Sequence, residues 1–219
     1  MKSDAKEPSG GFTLIELISV IVIGAFLVLV ILLLPAMARG RARGSRINCV
    51  NNVKQVALGF RQWALDNNDK FPMQVSTNSG GTMELLSKGA VYPHFQVMSN
   101  ELNTPKILLC PEDSKRNYAT RFWTNFSDTN ISYFIGADAD QTNAFLFLSG
   151  DDNLQVAGKP CKPGLAVVST NTVLSWAKAR HENQGNVAMT DGSVQILSDS
   201  RLMQALVATG QATNRFLFP

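Results

Sequence analysis

The chain is short of charge and of histidine. Only 17% of its 219 residues are Asp, Glu, Lys or Arg, and it holds two histidines, His94 and His181, with three cysteines. The charged fraction of ordinary globular chains is about 25%. Two histidines exclude a multi-histidine metal centre. No zincin helix, phosphate-binding glycine loop, nucleophile elbow or EF-hand loop occurs, so the common signatures of hydrolases, nucleotide binders and calcium sensors are missing. Internal repeats and long low-complexity segments are absent too, and the composition excludes disordered, collagen-like and coiled-coil classes. A mean hydropathy near zero leaves no room for several apolar spans of about 20 residues, which excludes a polytopic membrane protein.

What charge there is lies unevenly. The formal net charge is +3. The leader, residues 1–11, balances Lys2 and Lys6 against Asp4 and Glu7. From Phe12 to Ala38 the one charge is Glu16, and directly after come Arg39, Arg41, Arg43 and Arg46. From Ile47 onward basic and acidic residues are equal at fourteen each. The basic excess is therefore a collar beside an apolar run, not a dispersed basic face, and it argues against nucleic acid as a partner.

The apolar run has three readings. Leu17–Leu34 is 18 residues without charge, enough helix to cross a hydrocarbon core of about 30 Å as a plain anchor. It could instead be a secretory signal, with Ala36-Met37-Ala38 as cleavage site. It is, however, longer than a usual signal core of about 7–15 residues. The third reading is a short polar leader ending in glycine, followed by an apolar helix with one acid near its start. Glu16 is singled out by its cost: a carboxylate in a membrane helix is unfavourable by about 2.5 kcal/mol or more, so it marks a functional position or an interfacial one.

Gly11-Phe12-Thr13-Leu14-Ile15-Glu16-Leu17 resembles the processing site of type IV prepilins and type II secretion pseudopilins. The resemblance implies cleavage between Gly11 and Phe12 by a membrane prepilin peptidase, and N-methylation of Phe12. It implies that Glu16 pairs with the methylated amine of a neighbouring subunit during filament assembly. It also implies an inner-membrane, single-pass protein whose C-terminal domain is periplasmic, with the secretion inner-membrane platform and membrane lipid as further partners. The arginine collar, taken alone, favours a cytoplasmic C-terminus. The motif is the more specific signal, and the collar then faces acidic head groups, a filament neighbour or solvent.

Beyond the collar, Ile47, Val50, Val53, Ala57, Phe60 and Ala64 recur at steps of three and four, an amphipathic helix over 39–66. It stops at Asn67-Asn68-Asp69-Lys70-Phe71-Pro72. With Pro35 as a kink and Gly24 as a soft point, one long helix over about 13–66 is expected. Lys106–Cys110, Ile131–Ile135, Ala144–Leu148, Thr172–Trp176, Asn186–Met189 and Val194–Leu197 read as short strands. The last two flank Asp191-Gly192, a hairpin signal. A short helix follows at about Ser200–Ala208. The fold class is α+β: residues 1–11 leader, 12–38 apolar helix, 39–66 amphipathic helix, 67–219 an antiparallel β-rich domain, pilin-like in outline.

Cys49-Val50-Asn51-Asn52-Val53-Lys54-Gln55, Phe71-Pro72, Cys110-Pro111-Glu112-Asp113 and Ser132-Tyr133, with His181 ten positions before Asp191-Gly192, are similar to a class of bacterial pseudopilin-like proteins. This second resemblance favours a Cys49–Cys110 disulfide, with Cys110–Cys161 as the rival; a bridge closing a loop of this size is worth about 4 kcal/mol. His181 reads as a structural residue opening the hairpin, the sharper alternative being a base or ligand paired with Asp191. Calcium, which similar major pseudopilins hold, would fall to Asp138, Asp140 and Asn143, to Asp151-Asp152-Asn153, or to Asp191. The expectation is a structural filament subunit with no enzymatic activity of its own. Its rival is a membrane-anchored extracytoplasmic module that binds a surface glycan or protein through loops around Trp123 and Trp176.

Overall fold

Helix α1, Leu14–Leu65, opens the computed structural model, which describes residue 11, residues 13–178 and residues 180–219, apart from the side chains of 35–43. Expectations placed on residues 1–10 and Phe12, and on the side chains of Pro35, Arg39, Arg41 and Arg43, lie outside the described residues. The chain divides into two units, Met1–Gly44 and Ser45–Pro219.

In the first unit, Leu14–Leu34 forms 21 helical residues with apolar side chains turned outward and none of them buried. At about 1.5 Å per residue this segment matches the thickness of a bilayer core.

In the second unit, α1 buries Cys49, Val53, Val56, Ala57, Phe60, Trp63 and Ala64. The apolar face was expected to include Ile47 and Val50. Ile47 is 60% exposed and Val50 half-buried, because the core-facing stripe turns through Cys49 and Val56 instead. The helix ends where expected: Asn67 Nδ2 donates to the Trp63 carbonyl at 2.8 Å, and Asn68 and Asp69 take left-handed φ values of 56° and 57°.

Among the described residues nine strands follow: β1 Tyr133–Gly136, β2 Phe147–Asp151, β3 Leu154–Val156, β4 Lys159–Pro160, β5 Gly164–Ser169, β6 Leu174–Trp176, β7 Gln184–Met189, β8 Val194–Ser198 and β9 Thr213–Phe218. Six build one antiparallel sheet in the order β5-β9-β1-β2-β7-β8, and three build a second, β4-β3-β6. Short helices α2, Tyr92–Gln96, and α3, Ser99–Leu102, precede the strands, and helix α4, Asp199–Ala208, lies between β8 and β9 in sequence. The large sheet is covered on both faces. Tyr133, Ile135, Leu148, Ala188 and Leu217 join α1 and the loops between Phe71 and Ala139 in one core cluster. Their neighbours Phe134, Phe147, Val187, Met189 and Phe216 join α4 and the small sheet in another. Side chains of adjacent strand residues point to opposite faces, so a doubly covered sheet needs unbroken apolar runs rather than alternation.

Two expectations change. Lys106–Cys110 is a 3₁₀ turn, Pro105–Leu108, with Pro105 in its first turn and Thr104 accepting a hydrogen bond from the Lys106 amide. The proline fixes a turn backbone where apolar composition suggested a strand. Strands β5 and β9, unread in the sequence, make the longest pairing of the sheet, Gly164–Ser169 against Thr213–Phe218. The Asp191-Gly192 turn joins β7 to β8, with Gly192 at φ 83°, a value glycine reaches without strain.

Candidate functional site

At the start of α1, Thr13 and Glu16 bond reciprocally. The Thr13 amide and hydroxyl each donate to Glu16 Oε2 at 2.9 Å, and the Glu16 amide donates to Thr13 Oγ1 at 3.4 Å. This is a capping box, in which a Thr and a Glu three positions on satisfy each other's free amides. Sequence reasoning assigned Glu16 a single partner in another subunit and missed this one, although Thr-x-x-Glu is its sequence signature. The capping box gives the carboxylate a local partner in the isolated chain.

The second unit holds a buried cluster. α1 brings Cys49. The segment after the Pro105–Leu108 turn brings Cys110. β2 ends in Asp151, and the loop before β7 brings His181. All four are buried, and their sulfur, oxygen and nitrogen ligand atoms lie within 4.8 Å of one another. His181 Nε2 is 3.3 Å from Cys110 Sγ and 3.5 Å from Asp151 Oδ2. The Cys49 thiol donates to Asp151 Oδ1 at 3.4 Å, and its sulfur lies 3.6 Å from the Tyr133 hydroxyl. Among the described residues, this group could hold a metal ion.

A second ring of contacts positions the four. Asp151 Oδ2 accepts from the backbone amide and side-chain amide of Asn186, at 2.7 and 2.9 Å. The His181 amide donates to Glu112 Oε2 at 3.0 Å. Its Nδ1 also lies 3.0 Å from that oxygen, but off the line of a hydrogen bond, so that contact is electrostatic. Arg46 donates to the His181 carbonyl at 2.7 Å and to Gln184 Oε1 at 2.6 Å. Arg180, one residue before His181, pairs with Asp152 and with Asp113, and Arg116 bridges the same two acids. Ser132 donates to Asp113 at 2.8 Å.

Electrostatics follow from this packing. The hydrogen bond between the two thiols pushes Cys49 up, with burial adding to it, while the same bond draws Cys110 down to about 5 against its own burial. Burial raises the Asp151 carboxyl to about 6. Burial pulls His181 down, but its hydrogen bond to Cys110 and the charge of Asp151 outweigh it, and the imidazole is raised. A thiol drawn down, an imidazole raised and a buried carboxyl are thus packed against one another.

The structure sorts the expected site residues as follows. Cys49 and Cys110 come together, both as free thiols. The rival Cys110–Cys161 pairing finds no support, since Cys161 packs against the other core cluster. His181 does not meet Asp191: the two flank opposite ends of β7, a six-residue strand about 20 Å long. Asp191 lies in the exposed turn, where its Oδ1 accepts from the Ser193 amide at 2.8 Å and its carbonyl from Arg61. Of the calcium candidates, Asp138 is engaged by Arg215, Asp140 by Gln74 and Thr142, and Asn143 by backbone groups. Among the described residues the acids Asp138, Asp140, Asp151 and Asp191 do not gather into one cluster. Asp138 and Asp140 line an open cleft of about 590 Å³ with Met73, Met83 and Leu165. Trp123 is 74% exposed, whereas Trp176, around which the second binding loop was expected, is in the core.

No protein-family model matches the chain, and neither a curated protein nor a solved structure matches it.

Proposed function

We propose that the chain is a structural subunit of a type II secretion pseudopilus or type IV pilus-like filament. In this reading prepilin peptidase cleaves between Gly11 and Phe12, and Phe12 is N-methylated. The mature chain sits in the inner membrane by the Leu14–Leu34 segment and carries its α+β domain on the periplasmic side. Polymerisation then exchanges lipid contacts of the apolar helix for contacts with other copies, on the secretion platform. The subunit performs no chemistry itself and needs no cofactor for assembly.

One observation carries the reading: a 21-residue helical segment, Leu14–Leu34, apolar in character and turned outward, with a single acid, Glu16, near its start. A plain anchor needs no such acid, and a membrane disfavours one. The capping box adds to the support, because it holds the carboxylate at the helix start, beside the position where cleavage would create a new amine. The exposed Trp123 favours the second reading, an anchored module binding a surface glycan or protein, now without Trp176.

Expression with and without prepilin peptidase, followed by mass spectrometry of the mature N-terminus, tests the proposal. Methyl-Phe12 is the expected result, and cleavage after Ala38 would overturn it. Glu16→Gln and Glu16→Ala sharpen the test. Gln keeps the capping box but loses the charge. Both variants should be processed and neither should polymerise normally. Normal filament yield from Glu16→Gln would show that the cap, not the charge, is what matters.

A further inference from the structure

We propose that Cys49, Cys110, Asp151 and His181 form a closed four-ligand site for a tetrahedral divalent metal ion of the zinc class. The site is independent of the filament reading, which uses only the N-terminal helix.

The argument begins with geometry. Zinc binds sulfur at about 2.3 Å, imidazole nitrogen at about 2.0–2.1 Å and carboxylate oxygen at about 2.0–2.2 Å, in a tetrahedron. The edges of such a tetrahedron, from ligand to ligand, are then about 3.3–3.8 Å. The structure places Cys110 Sγ 3.3 Å from His181 Nε2, His181 Nε2 3.5 Å from Asp151 Oδ2, and Cys49 Sγ 3.4 Å from Asp151 Oδ1. Whichever Asp151 oxygen is the ligand, two edges of the figure are already at the required length, and all four ligand atoms lie within 4.8 Å of one another.

The donors fix the class of ion. Two sulfurs and an imidazole suit zinc and its near neighbours, and are wrong for calcium or magnesium, which take oxygen. All four groups are buried, so no position is left open for substrate, as in a structural rather than a catalytic site. The outer contacts match the same chemistry. A metal-bound histidine needs its second nitrogen oriented by a carboxylate or carbonyl, and a ligating carboxylate needs its own donors. Glu112 accepts the His181 backbone amide and stands 3.0 Å from Nδ1 in electrostatic contact, and Asn186 supplies two donors to Asp151.

The backbone adds an independent observation. His181, Glu182 and Asn183 have φ values of 55°, 52° and 61°. Three successive left-handed non-glycine residues cost roughly 1–2 kcal/mol each. Such strain persists where the surroundings impose it, and it concentrates at functional sites. Here the turn delivers the imidazole of His181 to the cluster, while Arg46 and Glu112 hold its carbonyl and amide. A disulfide between Cys49 and Cys110 would use two of the four convergent groups and give no role to the strained turn.

The test uses the full chain in detergent under reductant, stripped of metal and then titrated with Zn²⁺, with Co²⁺ as a spectroscopic probe. We expect one Zn²⁺ per chain, displacing the thiol protons. Co²⁺ should give the intense visible bands of tetrahedral coordination and sulfur-to-metal charge transfer. Cys161→Ser should bind normally, and the Cys49→Ser, Cys110→Ser double variant should not bind. Should that variant misfold, Glu112→Gln serves instead: it leaves all four ligands in place and should weaken binding roughly 10–100-fold. Absence of stoichiometric Zn²⁺ binding, an octahedral Co²⁺ spectrum, full affinity in Glu112→Gln, or a Cys49–Cys110 disulfide that forms in preference to the zinc complex would each overturn the proposal.

Discussion

His94 makes the stability of the globular unit depend on pH in a calculable way. It lies in the short helix α2, Tyr92–Gln96, with no exposure. Nδ1 shares a hydrogen bond of 2.6 Å with Thr82 Oγ1, and Nε2 has no hydrogen-bond partner among the described residues. Burial lowers the imidazole from 6.5 to about 4. Between those two values the unfolded chain binds a proton that the folded chain refuses, so stability falls as the pH falls. The contribution is fully present above pH 6.5, declines below it, and is lost by about pH 4. At about 1.4 kcal/mol for each tenfold difference in proton affinity, the total is about 3 kcal/mol, a large share of a typical net stability of about 5–15 kcal/mol. The assay is urea unfolding of the full chain in detergent at pH 7, 5.5 and 4, for wild type and His94→Leu. Other groups titrate in the same range; Asp151, raised to about 6, acts with the opposite sign. They are common to both proteins and cancel in the difference. Wild type should lose about 3 kcal/mol relative to the variant on going from pH 7 to pH 4. Parallel pH profiles would refute the reasoning.

Phe60 is fully buried, edge-on to Phe71 at 6.1 Å and to Phe95 at 5.8 Å; Phe60→Ala should destabilise by about 3–5 kcal/mol in the same unfolding assay. At Gly136 an added Cβ would overlap the Phe147 carbonyl, so Gly136→Ala should cost about 1–3 kcal/mol or more and broaden amide signals along β1 and β2. Asp128 Oδ1 accepts the Val91 and Tyr92 amides at 2.9 and 2.7 Å; Asp128→Ala should cost about 1–2 kcal/mol and speed hydrogen exchange at those two amides first.

The apolar helix, the helix stop at Asn67 and the Asp191-Gly192 hairpin were legible because each is a local signal: hydropathy, turn chemistry and spacing. Strands β5 and β9 were not. Val167-Val168 and Phe216-Leu217-Phe218 are too short to distinguish from loop without their partners, and the two strands lie more than forty residues apart. The buried cluster was half legible. Cys49, Cys110-Pro111-Glu112-Asp113, Ser132-Tyr133 and His181 all stand in the sequence as separate short motifs. That they converge depends on β2 and β7 being neighbours, which brings Asp151 and Asn186 together. Asp151 and Asp152 look like one oxygen-rich calcium patch in the sequence, but β2 ends at Asp151 and Asp152 lies just beyond it. Asp151 turns into the cluster and Asp152 toward Arg116 and Arg180. The sharp pairing of His181 with Asp191 fails for the same reason that their spacing is regular: the intervening residues are a strand, which holds its ends apart.

The contacts of α1 near Ser45 also have a mechanical meaning. Arg46 is bonded to the His181 carbonyl and Gln184, Cys49 to Asp151, and Asn52 to the Leu109 carbonyl. These anchor points lie along successive turns of one helix and reach three separate parts of the domain. A pull along the axis of this part of α1 therefore loads them side by side, in shear, rather than peeling them one after another. Rupture then requires several bonds to fail together, so the globular unit should resist axial tension far better than its individual hydrogen bonds suggest.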